Sequence, residues 1–109
     1  MHQHSQAAID AKNRLVATAR AMIEGEISFI EGARKINGLG YLAGLGEFDG
    51  DLIVFTSIDS QTDALPMGKV RELWNPDALN KLLPEIDDAE RWARDEAITH
   101  CRNLIERFG

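Results

Sequence analysis

With 109 residues and 44% apolar side chains the chain has the size of one domain, able to close a core without disulfides or metal, and its lone Cys101 excludes an internal disulfide. Twelve basic against eighteen acidic side chains leave a net charge of −6, which argues against nucleic acid or an anionic membrane as partner, since both are recognised by positive charge. No run reaches the ~18–20 apolar residues of a membrane span and no secretory leader is visible, so a cytoplasmic protein is expected.

From Ser5 to Gly25, the residues Ala8, Ile9, Leu15, Val16, Ala19, Met22 and Ile23 form the stripe of an amphipathic helix, with Lys12, Arg14 and Arg20 on its other faces. Ser28-Phe29-Ile30-Glu31 reads as a capping box that opens a second helix, in which Ile30, Ala33 and Ile36 share a face. Asn37-Gly38 is the expected stop, because both residues tolerate the left-handed backbone of a helix end. Gly38 to Gly46 then reads either as loop or as a helical continuation packed closely against a neighbour.

Leu52 to Ile58 has the β-branched, apolar character of a buried strand. No second stretch offers it a partner, so a buried helix starting near Asp51 agrees better with the rest. Asp59 to Gly68 is expected to be a polar loop. Asn75-Pro76 supplies a cap and a first-turn proline for a short helix ending at Leu83, before Pro84. Asp87, Asp88 and Glu90 open a last helix through Ala93, Ala97, Cys101, Leu104 and Phe108. The expected fold is all-α: one domain over 1–109 with 1–4 frayed, a bundle of about four to five helices, and 51–58 open to an irregular or short β alternative.

Charge is unevenly spread. Residues 1–36 carry a net of +1 and residues 69–109 a net of −2, whereas residues 37–68 hold five acids and no Lys or Arg. Those five, Glu47, Asp49, Asp51, Asp59 and Asp63, read as a solvated loop face or as a docking surface for a basic partner.

The motifs of catalysis and cofactor binding are missing. Gly38-x-Gly40-x-x-x-Gly44 has the wrong spacing for dinucleotide binding, and no Gly-Lys-Ser/Thr follows. Phe48-Asp49-Gly50-Asp51 does not fit a calcium loop. His100 and Cys101 are adjacent on a helix and point about a hundred degrees apart, poor geometry for a base and its thiol, and Cys101 belongs to the apolar stripe. His2 and His4 are too few for a metal site. Glu90 and Arg94 are spaced for an i,i+4 pair.

Ser57 to Pro66 is richer in information: hydroxyls and carboxylates directly after the most apolar run. Ile58-Asp59-Ser60-Gln61-Thr62-Asp63-x-Leu65-Pro66-x-Gly68, Ile23-x-Gly25-Glu26-Ile27-x-x-Ile30-Glu31-Gly32-Ala33-Arg34, Trp74, and Ala89-Glu90-x-x-Ala93 through Cys101-Arg102 together resemble a group of small bacterial proteins of unknown function. The likeness spans most of residues 15–105 and implies a compact helical domain. The group usually has Glu where Gln61 stands, a departure that counts against acid–base chemistry there. Small acidic proteins of this kind are also similar to the immunity proteins encoded beside bacterial toxins.

The expected function is therefore non-enzymatic protein binding, with no cofactor and no metal, and with neutralisation of a basic toxin as its most specific form. Glu47, Asp49, Asp51, Asp59 and Asp63 are the expected contacts. The alternatives are a small carboxylate- or metal-dependent hydrolase built on the Asp59–Asp63 loop, and a homo-oligomeric structural protein with Trp74 at its interface, although a core role suits that residue better.

Overall fold

The computed structural model describes residues 5–109. Three of its helices begin where a side chain meets the first free amides. Ser5 accepts from the Ala8 amide and opens α1, Gln6–Ile23; Ser28 accepts from the Glu31 amide at 2.9 Å and opens α2, Phe29–Leu42. Asn75 Oδ1 accepts from the Asp77 and Ala78 amides ahead of α4, Pro76–Phe108, with Pro76 in the first turn. The remaining elements are α3, Leu52–Thr62, and a 3₁₀ helix, Gly68–Leu73. The all-α expectation holds: the described residues contain no strand.

Burial follows the helical period. In α3 the buried residues are Leu52, Phe55, Ile58 and Thr62, a stripe a strand could not make. That settles 52–58 as helix, with Asp51 just ahead of its first turn. Leu15 and Met22 of α1, Ile30 and Ile36 of α2, Phe55 of α3, and Cys101 and Leu104 of α4 meet in one core. Each such aliphatic or aromatic side chain contributes about 1.5–3 kcal/mol by leaving water. Two glycines let the helices approach. A Cβ on Gly32 would overlap the Met22 side chain and one on Gly40 would overlap Leu52, so α2 runs almost backbone-close to α1 and α3.

Three boundaries differ from expectation. Helix α2 passes through Asn37-Gly38 and ends at Leu42, and Gly44, with φ of +91°, supplies the left-handed turn after it. Asn37 is held by side-chain bonds to Thr56 and Asp59, and Leu39 and Gly40 are buried, so packing overrides the stop signal. Residues 59–62 continue α3 instead of starting the loop. Pro84 does not end a helix: α4 is continuous over 33 residues. The proline and Asn80, whose carbonyl loses its partner, are both exposed, so the missing bond leaves no buried polar group unsatisfied.

At 33 residues and 1.5 Å per residue α4 is about 50 Å long, and it sets the long axis of a molecule measuring 54 × 26 × 24 Å. Its buried residues begin only at Ile86. No helix among the described residues is long and apolar enough to cross a membrane. His2 and His4 lie outside the described residues.

Candidate binding surface around α3

The N-terminal end of α3 is built by charge. Asp49 Oδ1 accepts from the amides of Asp51 at 3.0 Å and Leu52 at 3.1 Å and so caps the helix. The Arg107 guanidinium grips both oxygens of Asp49, at 2.9 and 2.8 Å, and reaches Asp51 Oδ2 at 2.8 Å. Asp51 Oδ1 receives His100 Nδ1 and Asn103 Nδ2, each at 2.9 Å. The partner is a carboxylate and can only accept, so the His100 proton sits on Nδ1. His100, Asn103 and Arg107 recur at i, i+3 and i+7, one face of α4.

These bonds favour the charged forms. The Arg107 bond, against the opposing effect of burial, holds Asp49 well below the usual carboxylate range, with the Leu52 and Asp51 amides adding to it. Burial works against ionised Asp51, but Asn103, His100 and Arg107 together outweigh it and its carboxyl is also lowered.

The cluster has the parts of a His–Asp pair, but the chain's one cysteine does not join it. Cys101 turns the other way, its Sγ 3.9 Å from the Met22 sulfur, and desolvation pushes the thiol up to about 12. Asp49 and Asp51 flank a guanidinium that stands where a cation would, and among the described residues no three His, Cys, Asp or Glu side chains are grouped to hold a metal ion.

The C-terminal end of α3 is tied to α2. Arg34 Nη2 donates to the carbonyl of Thr62, the last residue of α3, and, at 3.1 Å, to that of Leu65 in the turn beyond it. Its Nε is buried without a hydrogen-bond partner, 3.8 Å from Asp59 Oδ1. Asp59 accepts from Asn37 Nδ2 at 2.9 Å, and Arg71 Nε donates to the Pro66 carbonyl at 3.0 Å. Gly68 closes the turn at φ +60°, with the Glu31 carboxylate 3.3 Å from where a Cβ would lie. The Ile58–Gly68 motif is thus a clasp between α2 and α3. Gln61 Nε2 donates to Ser57 Oγ at 2.9 Å, a bond a glutamate could not donate.

Of the five acids singled out from sequence, Asp49 and Asp51 come together, and they do so around Arg107. Asp59 is bound by Asn37, while Glu47 and Asp63 are exposed and form no ion pair among the described residues. Nor does Glu90 pair with Arg94: its carboxylate crosses to α2 and accepts from the Phe29 amide at 2.5 Å and the Ile30 amide at 3.2 Å, at the positive end of that helix.

What sequence reasoning missed is a groove between α3 and α4. It holds about 210 Å³ and is lined by Ile53, Val54, Ser57, Ile58, Trp92 and Glu96. Ile53 is 45% exposed, unusual for a residue in so apolar a run. The signal was available in Trp92 and Glu96, four apart and off the Ala93-Ala97-Cys101 stripe. A larger, more open groove of about 570 Å³ between α1 and α2 has the opposite character, with Arg14, Arg34 and Lys35 in its walls.

No protein-family model, curated protein or solved structure matches the chain.

Proposed function

We propose that the chain is a non-enzymatic protein-binding domain that receives a basic partner across the outer face of α3, with neutralisation of a basic toxin as its most specific form. The observation that carries this reading is the α3–α4 groove. Its floor is apolar, Glu96 stands in its wall, and the surrounding segment 37–68 contains no Lys or Arg. An apolar slot with an acid in its wall, beside a segment without cations, suits a partner segment in which an apolar anchor is flanked by Lys or Arg: the anchor supplies affinity, the charges speed encounter and reject wrong partners.

The contact set is narrower than charge counting suggests. Asp49, Asp51 and Asp59 are occupied inside the protein, so the available acids are Glu47, Asp63 and Glu96.

The test compares the wild type with E47K/D63K/E96K in affinity capture from bacterial lysate at low and moderate salt. A stoichiometric basic protein, held by the wild type, released by salt and lost by the variant, supports the reading. Equal capture by both proteins, or capture of nothing basic, overturns it.

A further inference from the structure

Three glycines fall inside α2, and packing within the chain explains two of them. Gly32 makes room for Met22 and Gly40 for Leu52. Gly38 makes room for neither: it is exposed, its φ is not left-handed, and nothing lies within 4 Å of where a Cβ would be. A glycine in a helix interior costs stability against alanine, and its use there is to let another backbone or a ligand come close. The space over Gly38 is open, in the wall of the α1–α2 groove of about 570 Å³.

The rest of the lining indicates the occupant. Ala17 and Thr18 keep the α1 wall low, and Leu39 with Leu42 forms an apolar strip on α2, Leu42 being 64% exposed. Arg14 on α1 and Lys35 on α2 are exposed and form no ion pair among the described residues. Arg34 is taken up by the Thr62 and Leu65 carbonyls. Two free cations beside an apolar strip complement carboxylates that flank an apolar side chain. Beyond Lys35 the groove meets a depression over Ala21 and Ile27 bordered by Glu26 and Glu31, so the attraction for acid is confined to the Arg14 end. A second copy set face to face on this groove would press one pair of cations against the other. A nucleic acid would find only two cations on a chain of net −6.

We infer that the α1–α2 groove seats an acidic helical segment of a partner protein. An amphipathic helix laid between two others is a common mode of peptide recognition, and small residues in the groove let its backbone approach. The segment passes over Gly38, rests an apolar side chain on Leu39 and Leu42, and presents carboxylates to Arg14 and Lys35. No residue that lines the α3–α4 groove lines this one, and the inference does not depend on the basic-partner reading.

Fluorescence anisotropy tests the inference with a labelled helical peptide of about twenty residues, an alanine background carrying a leucine stripe at helical spacing with glutamates beside it. The wild type binds it with Kd below about 100 µM, and raising salt from about 0.05 to about 0.5 M weakens binding at least about threefold. Two variants at exposed positions, R14E/K35E and G38L, bind at least about tenfold more weakly. G38L adds no charge and puts a better helix former in place of glycine, so its urea unfolding midpoint stays level or rises while the groove is filled. A wild type that leaves the peptide unbound up to about 1 mM overturns the inference. So does binding that either variant keeps, that a peptide with lysine in place of every glutamate matches, or that oligothymidylate of similar length matches. A wild-type sedimenting mass of two chains that G38L reduces to one also overturns it, and makes a second copy the occupant.

Discussion

The two ends of α3 are fastened by different chemistry. At the N-terminal end two carboxylates are held by a guanidinium, an imidazole and an amide from α4. At the C-terminal end an arginine of α2 donates to main-chain carbonyls, and one carboxylate takes an amide. The first fastening depends on ionisation and the second mostly does not. A helix whose residues lean toward strand is thereby locked in place from both sides, and three acids that look like a charged surface serve as braces.

The largest expected effect is at the N-terminal end. Arg107→Ala leaves two carboxylates facing each other without a counter-charge, and should lose about 2–3 kcal/mol in urea unfolding at neutral pH, less than a fully buried pair because Arg107 is 37% exposed. Both carboxyls are lowered in the folded state. Their stabilisation is therefore complete above the unfolded value near 3.9, and is lost as pH falls through the lower folded values. The gap between wild type and variant should shrink to under about 1 kcal/mol near pH 2. A gap constant with pH would show that Arg107 acts through packing alone.

Arg34→Ala comes next, at about 1–2 kcal/mol, since it strips a donor from two carbonyls that are part-buried. Its cost should be nearly the same at pH 7 and near pH 2, where the Arg107 effect has shrunk, which separates the two fastenings in one experiment. A loss that tracks acid titration would mean that Asp59, rather than the carbonyls, is what Arg34 holds.

A pair of glycine substitutions probes how closely α2 lies against α3. Gly40→Ala should destabilise by about 1 kcal/mol or more despite alanine's better helix propensity, because its methyl overlaps Leu52. Gly38→Ala, with nothing within 4 Å of its Cβ, should stabilise by about 0.5–1 kcal/mol, the smallest change of the set. Unfolding midpoints of the two variants on opposite sides of wild type confirm the close approach; two midpoints on the same side refute it.

Local chemistry was readable where a single side chain decides the outcome. Ser5, Ser28 and Asn75 mark three helix starts, and the spacing of Ala93, Ala97, Cys101 and Leu104 marks the buried face of α4. Boundaries set by distant contacts were not. Asn37-Gly38 carries a stop signal, but Thr56 and Asp59, about twenty residues on, hold Asn37 in the helix. The acidic segment was found, and its division into bound and free carboxylates was not, because Arg107 lies more than fifty residues away and only the fold brings it to Asp49 and Asp51. The Ile58–Gly68 motif is legible as a unit, yet its polar residues point as much toward Arg34 and the backbone as toward solvent.

Pro84 gives α4 a seam. On its C-terminal side lie all five buried residues of the helix, Ile86 to Leu104; on its N-terminal side lies none. The ladder bond from Pro84 back to Asn80 is the one rung the helix lacks, and it falls where burial begins. One continuous helix therefore meets the core in two ways, through part-buried Leu79, Leu82 and Leu83 before the seam and through fully buried side chains after it. Amides before the seam are expected to exchange with solvent through smaller openings than those among the buried residues.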